Sequence, residues 1–267
     1  MRLLCGIALV VAMLGGCRFL PRTGPAPADV AQARRLANEG LSAADRDAFA
    51  EAAALLDRAV RSCPADVEAR RHYAEVLWKQ GERLAAIEQI STALRQSPGD
   101  PDLCVCAARM YLEMGLLDDA DRLATEATRL AGGSASAWHV HGQVALAHGQ
   151  ERDALADFHR GLALAPDDRA LLLDTATVYR RLGRPQRVLA TLAVLGETYG
   201  TDRVPAEVLV MEGMAQESLG RTADAIASYR RAIEAEGAPE AVRRLTALTG
   251  PAPAAVAVSP DQQGVAR

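Results

Sequence analysis

Residues 135–168 read ASAWHVHGQVALAHGQERDALADFHRGLALAPDD and contain two helical patterns separated by a glycine. The first pattern places residues three or four positions apart on one helical stripe: Trp138, His141, Gly142 and Ala145. Gly149 interrupts it, and a second stripe ends before Pro166, which cannot continue a helix: Ala154, Phe158 and Gly161. The small residues allow two helices to approach closely. The stretch therefore predicts a helical hairpin in which Trp138 and Phe158 fill the space beside them.

The small residues of this hairpin recur along the chain at a step of 34 residues. In the first helix the series is Gly40, Ala74, Ala108, Gly142 and Ala176, with Gly213 after a three-residue insertion. In the second helix there are two series, Ala52, Ala86, Ala120, Ala154, Val188 and Ala225, and Ala59, Ala93, Ala127, Gly161, Leu195 and Ala232. Helix-breaking glycines keep the same register at Gly81, Gly115, Gly149, Gly183 and Gly220. This agreement predicts a tandem array of helical hairpins.

The period and these residues together resemble the tetratricopeptide repeat (TPR) family. The resemblance covers Ala33 to Pro239 and implies an all-α, right-handed superhelical solenoid of six units with a capping helix at 239–248. We expect the solenoid to span 30–249, with units near 33–66, 67–100, 101–134, 135–168, 169–202 and 206–239. In the fifth unit Val188 and Leu195 replace small residues and Pro185 opens the second helix, so we expect looser packing there.

The first 16 residues have a basic start, an apolar run and a small-residue end, which predict an export signal. The ending L-G-G-C resembles the lipobox of bacterial lipoproteins, which implies cleavage before Cys17 and lipidation of Cys17. The alternative is an ordinary secretory peptide with an incidental cysteine. Residues 17–29 are rich in proline and predict an extended tether. Arg18 stands where an inner-membrane retention signal has aspartate, which by resemblance favours the outer membrane, with the body facing the periplasm of the bacterial cell envelope.

Residues 250–267 lack helical periodicity and predict a disordered tail, with a short partner-binding strand at 256–258 as the alternative. The net charge of −4 disfavours a nucleic-acid partner, because phosphate binding calls for a basic surface.

The motifs that would indicate an enzyme are missing from the sequence. It holds no G-x-S-x-G elbow, phosphate loop or dinucleotide fingerprint, so we expect neither catalysis nor a cofactor. Cys104 and Cys106 point to different faces of one helix and cannot easily pair, and Cys63 lies at a unit boundary. No histidine has the spacing of a common metal site, so no metal is expected. The alternative is a metal-binding or catalytic cluster of His72, Cys106 and His139 from successive first helices.

The resemblance to TPR proteins implies a non-enzymatic scaffold that binds a protein or peptide on the concave face of its first helices. The stripe next to the packing stripe is expected to line that face. Its candidate binding residues are Arg71, Glu75, Trp78, Arg109, His139, Gln143 and Arg180, and Leu112 and Leu146 add apolar surface among them. Arg71, Trp78 and Arg109 are the candidate binding hot spots, since arginine and tryptophan dominate such sites. The alternative is that Trp78 covers the end of its hairpin and the arginines are solvated. His141, on the packing stripe, is interpreted as a core histidine.

The layout of leader, tether and array is similar to that of TPR lipoproteins of the pilus-assembly (pilotin) type. It implies a membrane-anchored scaffold that assists the assembly of a pilus, a secretin or another envelope complex. A structural array that self-associates is the remaining alternative.

Overall fold

The computed structural model describes residues 27–200, 204–236 and 238–250. The predicted leader, most of the predicted tether and nearly all of the predicted tail lie outside these residues. Thirteen α-helices occupy the described chain: α1 Pro27–Ala44, α2 Phe49–Ser62, α3 Val67–Gln80, α4 Arg83–Gln96, α5 Pro101–Glu113, α6 Leu117–Leu130, α7 Ala135–Ala147, α8 Glu151–Leu164, α9 Arg169–Arg181, α10 Pro185–Tyr199, α11 Ala206–Ser218, α12 Thr222–Glu236 and α13 Pro239–Thr249. Among them, no helix is both long and apolar enough to cross a membrane.

The helices pack as six consecutive hairpins, from α1 with α2 to α11 with α12, and α13 packs against α12 at the end of the array. Each second helix also packs against the first helix of the next hairpin, which produces an all-α superhelical array. Helix α1 begins at Pro27, three residues before the predicted start of the solenoid. Proline is tolerated there, since the first turn of a helix needs no backbone N–H partner.

Two recurring local signals fix the ends of the first helices. Four of these helices begin after a capping residue whose side chain accepts a hydrogen bond from the backbone N–H three residues on, and these caps lie one 34-residue period apart: Asp66, Asp100, Ser134 and Asp168. At the other end of α3, Gly81 has φ 85°, a left-handed conformation that favours glycine and turns the chain into α4.

The small-residue series predicted from the sequence form the contacts between paired helices. Every alanine in the three series is fully buried, with 0 % of its surface exposed. The glycines of the series are buried as well: Gly40, Gly142, Gly161 and Gly213. In the fifth hairpin the larger Val188 and Leu195 are each 1 % exposed, so they fill their positions in the core.

In two of the hairpins a glycine on the first helix makes room for an aromatic ring on the second. The small residue of the first helix is followed 16 positions later by a buried residue of the second helix, in the pairs Gly40–Leu56, Ala74–Ile90, Ala108–Ala124, Gly142–Phe158, Ala176–Leu192 and Gly213–Tyr229. Glycine faces the two aromatic rings. A Cβ at Gly142 would lie 2.5 Å from a ring carbon of Phe158, and a Cβ at Gly213 would lie 2.5 Å from Tyr229. The bulkiest core residues therefore require glycine opposite them.

Candidate functional site

The first helices line the inner face of a superhelical array of this kind, which is where the sequence places its candidate residues. Arg71, Glu75 and Trp78 lie on α3 and Arg109 on α5, while His139 and Gln143 lie on α7 and Arg180 on α9. The structure distributes them over several local environments. We use "inner face" for the surface formed by these first helices.

Arg71 is held by carboxylates of its own helix. It donates hydrogen bonds to Glu68, three residues before it, and to Glu75, four residues after it, where the Nη1–Oε1 distance is 2.6 Å. The hydrogen bond to Glu68 and the charges of both glutamates raise the pKa of Arg71 above its usual value. The same hydrogen bond lowers the pKa of Glu68. Two acidic partners therefore compensate the charge of Arg71 before any ligand arrives.

Glu75 connects the residues of the hypothetical metal cluster in a way that excludes His139. The imidazole of His72 donates from Nδ1 to Glu75 at 3.2 Å, and the thiol of Cys106 donates to Glu75 at 3.7 Å. His139 instead donates from Nε2 to Asp174, at 2.7 Å. Burial and the nearby Glu75 raise the pKa of the Cys106 thiol to about 12, so the thiol stays protonated at neutral pH.

Within the described chain, no three or more histidine, cysteine, aspartate or glutamate side chains are arranged to hold a metal ion. Cys63, Cys104 and Cys106 are buried as free thiols. The geometry therefore gives no support to the metal-binding or catalytic alternative.

Trp78 fastens the end of its hairpin to the next one. Its indole N–H donates to Glu113 of α5 at 2.9 Å, and the guanidinium of Arg83 lies 3.9 Å above its ring. Arg83 in turn lies 3.6 Å from Glu113. This arrangement corresponds to the alternative in which Trp78 covers the hairpin end. The indole has a single N–H donor, and because that donor is bound to Glu113 it is not available to a ligand.

Arg109 belongs to a groove that crosses three first helices. The groove has a volume of about 410 Å³ between α5, α7 and α9. We call it the inner groove, and it is lined by Arg109, Leu112, Glu113, Gln143, Leu146, Ala147, Asp174 and Arg181. The sequence predicted Arg109, Gln143 and the two leucines for this face and missed Asp174 and Arg181.

The polar residues of the inner groove differ in how far they are already engaged. Asp174 accepts hydrogen bonds at the same carboxylate oxygen from His139 and from the amide nitrogen of Gln143, the latter at 2.9 Å. Arg109 and Arg181 are exposed, and neither forms an ion pair with any described residue. The groove thus presents two available guanidinium groups beside the partly buried Leu112 and Leu146.

Trp138 and His141 occupy positions other than the predicted packing stripe. The most deeply buried residues of α7 are Ala137, Val140 and Val144, whereas Trp138 and His141 are only partly buried. The physical reason is that α7 packs against α5 and α6 as well as α8, so its buried surface is centred on Ala137, Val140 and Val144 and leaves Trp138 and His141 at the border. The indole N–H of Trp138 donates to the carbonyl oxygen of Gly132 in the preceding loop, at 2.8 Å.

His141 forms part of a charged cluster around the buried Asp157. Its Nδ1 donates to Asp157 at 2.6 Å, and Arg160 donates to the other oxygen of Asp157, also at 2.6 Å. Asp157 is 3 % exposed, so the hydrogen bonds from His141 and Arg160 satisfy a buried carboxylate. The guanidinium of Arg160 also lies 4.8 Å from the centre of the Trp138 ring.

This cluster predicts a pH dependence of stability. The hydrogen bond from His141 to Asp157 raises the pKa of His141 above 6.5. A raised pKa in the folded state stabilises it fully below the unfolded pKa of about 6.5, and that stabilisation is lost as the pH rises through the folded value. We expect the free energy of unfolding measured in denaturant titrations to fall as the pH rises through this interval.

His141→Gln should abolish this change, whereas His148→Gln, which replaces an exposed histidine at the end of α7, should retain it. An equal pH dependence in the His141 variant would show that other groups cause it.

The geometry defines a class of protein before any comparison, namely a helical-repeat scaffold with an open groove on its inner face. Models of the family described as "Tetratricopeptide repeat" match residues 37–101 and 139–193, and a second model of the same description matches residues 206–239. Together these matches cover more than half of the chain. The chain therefore belongs to the tetratricopeptide repeat family.

Solved structures with a similar fold include three arrays. The Cut9 and Hcn1 complex of the APC/C contains a chain with a TM-score of 0.74 and 16% identity, and the match covers 82% of this chain and 43% of that one. PilF of Pseudomonas aeruginosa gives a TM-score of 0.71 at 15% identity, covering 82% of this chain and 99% of PilF. PilW, described as a widely conserved type IV pilus biogenesis factor, gives a TM-score of 0.72 at 17% identity, and the match covers 80% of this chain and 98% of PilW.

At these identities the similarity shows the fold alone, and this chain spans less than half of the first of the three structures. No curated protein matches the sequence.

Proposed function

We propose that this protein is a non-enzymatic scaffold whose inner groove captures an extended segment of a partner protein. The observation that carries the proposal is the placement of Arg109 and Arg181, without ion-pair partners among the described residues, beside Leu112 and Leu146. Arginine offers a planar set of five donors, and leucine offers an apolar surface, so together they recognise a segment with both acidic or carbonyl groups and an apolar side chain.

The neutral polar groups of the groove suit the backbone of such a segment. The amide nitrogen of Gln143 is engaged by Asp174, which orients its carbonyl oxygen as an acceptor for a peptide N–H. Because Asp174 also fixes His139, both side chains are preorganised, and less entropy is lost when a ligand binds.

Arg71, Glu75 and Trp78 remain part of the proposed inner face, with smaller expected contributions. The two glutamates around Arg71 must be displaced before that guanidinium can serve a ligand. Trp78 already uses its N–H. We therefore assign the main anchors to Arg109, Arg181 and Leu146.

We further propose that the array is anchored through a lipidated Cys17 in the bacterial cell envelope, at the outer membrane, and assists the assembly of a pilus, a secretin or a similar complex. The lipobox-like ending before Cys17 and the residue Arg18 support the anchor and the membrane. The similarity in fold and length to PilF and PilW supports a role in pilus assembly, since PilW is described as a pilus biogenesis factor.

The groove is tested by first identifying the partner through cross-linking in the native envelope and then measuring its affinity for variants. Arg109→Ala, Arg181→Ala and Leu146→Ala should each weaken binding by about 1–3 kcal/mol if the residue is an anchor, with unchanged circular dichroism. The matched controls are Arg152→Ala and Leu164→Ala on the second helix α8, where both side chains are exposed. Wild-type affinity in all three groove variants, with loss of binding in the α8 variants, would refute the groove.

A further inference from the structure

The turn between α9 and α10 carries the densest positive charge of the described chain. Four arginines occur within the eight residues R-R-L-G-R-P-Q-R, namely Arg180, Arg181, Arg184 and Arg187. All four are exposed, and none forms an ion pair with a described residue. The chain as a whole has a net charge of −4, so this segment is a local excess of positive charge on an otherwise slightly acidic protein.

Two of these arginines border a cavity of about 380 Å³ between the turn, α11 and α13. Arg180 and Arg184 line it, together with Arg244 of α13. The apolar part of the lining includes the partly buried Pro185 and Met214. We call this cavity the arginine pocket. Its lining combines basic and apolar side chains.

Of the three arginines that line the pocket, Arg244 is paired with carboxylates, whereas Arg180 and Arg184 are not paired with any described residue. Arg244 donates to Glu217 at 3.1 Å and to Glu240 at 2.8 Å. The hydroxyl of Tyr229 donates to Glu217 at 2.9 Å. Both bonds to Glu217 use its Oε2 atom, and no hydrogen bond from the described chain reaches its Oε1 atom. The arginine pocket therefore offers two uncompensated cations and one fixed carboxylate acceptor.

We propose that the arginine pocket binds an acidic segment of a partner polypeptide, in which carboxylate side chains flank an apolar residue. Arg180 and Arg184 would bind the carboxylates, since guanidinium and carboxylate form strong paired hydrogen bonds. The apolar side chain between them would contact Pro185 and Met214, and Oε1 of Glu217 would accept a backbone N–H of the segment.

The number and signs of the charges favour this occupant over two others. Arg180 and Arg184 can each pair with a carboxylate of its own, so two side-chain carboxylates use both cations more fully than one chain-terminal carboxylate does. A flat surface of phosphate groups, as on an anionic membrane, would leave the apolar lining of the pocket empty. The pocket is also distinct from the inner groove, because Arg180 lines one and its neighbour Arg181 lines the other.

The test measures fluorescence anisotropy of a labelled peptide with the full-length protein in detergent. The probe is Gly-Asp-Leu-Asp-Gly-Glu-Leu-Glu-Gly, amidated at its C terminus so that its carboxylates all belong to side chains. Three matched probes replace its acids by Asn and Gln, its leucines by Gly, or both. We expect loss of the acids to weaken binding at least about tenfold and loss of the leucines to weaken it severalfold, and added salt to weaken the acidic probe most.

The protein variants locate the site. The double variant Arg180→Ala and Arg184→Ala should weaken the acidic probe at least about tenfold with unchanged circular dichroism, because both side chains are exposed. Arg152→Ala on α8 should leave the Kd within about twofold. Arg109→Ala removes a proposed anchor of the inner groove and therefore measures any share of the probe that binds there, so failure of one site can be distinguished from failure of the other.

Equal binding of the acidic and amide probes, or an equal loss in the Arg152 variant, would overturn the proposal. Displacement of the acidic probe by mixed micelles of detergent and phosphatidylglycerol, at lipid concentrations where micelles of a neutral phospholipid have no effect, would likewise overturn it, in favour of a lipid surface.

Discussion

Replacing Phe158 with alanine is expected to lower the free energy of unfolding by about 3–5 kcal/mol, the usual range for removal of a fully buried phenylalanine. Phe158 is 0 % exposed and fills the space opposite Gly142. Because a solenoid's stability is a sum of unit and neighbour terms, the loss should appear first as unfolding of the fourth hairpin. Denaturant titration followed by circular dichroism measures the change.

Gly142→Ala tests the same contact from the other side. The new methyl group would lie 2.5 Å from the ring, and overpacking of this kind costs about 1–3 kcal/mol. In the Phe158→Ala background the methyl group has room, so the double variant should be destabilised by less than the sum of the two single changes.

Gly196→Ala is the matched control. Gly196 lies within α10, and a Cβ there meets nothing within 4 Å. The same substitution should therefore stabilise the protein by about 0.5–1 kcal/mol through helix propensity. Additive effects of Gly142→Ala and Phe158→Ala would contradict the proposed contact.

The fold could be predicted from the sequence because each unit repeats the same packing problem. A small residue at position 142 allows the partner helix to approach closely, and the same requirement recurs at Ala108 and Ala176. A wrong interpretation of one position therefore does not change the predicted register, because the other units still define it. The capping residues Asp66, Asp100, Ser134 and Asp168 repeat at the same period and carry an additional signal of the helix starts. The pairing of glycine with aromatic residues 16 positions later is also visible once the register is known.

The inner face could be predicted less well, because availability of a side chain depends on its partners. Glu68 and Glu75 lie three and four residues from Arg71, a spacing that places charges on one helical face, so the sequence already contained the reason for the engaged guanidinium. The contacts of Trp78 with Glu113 and of His139 with Asp174 each join residues 35 positions apart on neighbouring first helices. They depend on side-chain conformations that the repeat pattern does not specify.

The largest expected effect on cellular behaviour is that of Cys17→Ser. If Cys17 is the lipidation site, this single change removes every acyl chain, and each chain contributes about 0.8 kcal/mol per buried CH₂ group to membrane binding. The wild-type protein should incorporate labelled palmitate and partition into detergent, whereas the Cys17 variant should do neither.

An apolar leader that remains attached can itself hold a protein at the membrane, so fractionation alone does not decide the question. The Cys17 variant should also keep its first 16 residues, because the lipobox resemblance implies that cleavage follows lipidation, and mass spectrometry of the intact chain measures this. Cys5→Ser is the matched control, since it changes a cysteine of the same apolar run and should leave labelling, cleavage and partition as in the wild type. Palmitate labelling of the Cys17 variant, or an unlabelled wild-type protein cleaved near the same position, would identify an ordinary secretory leader instead.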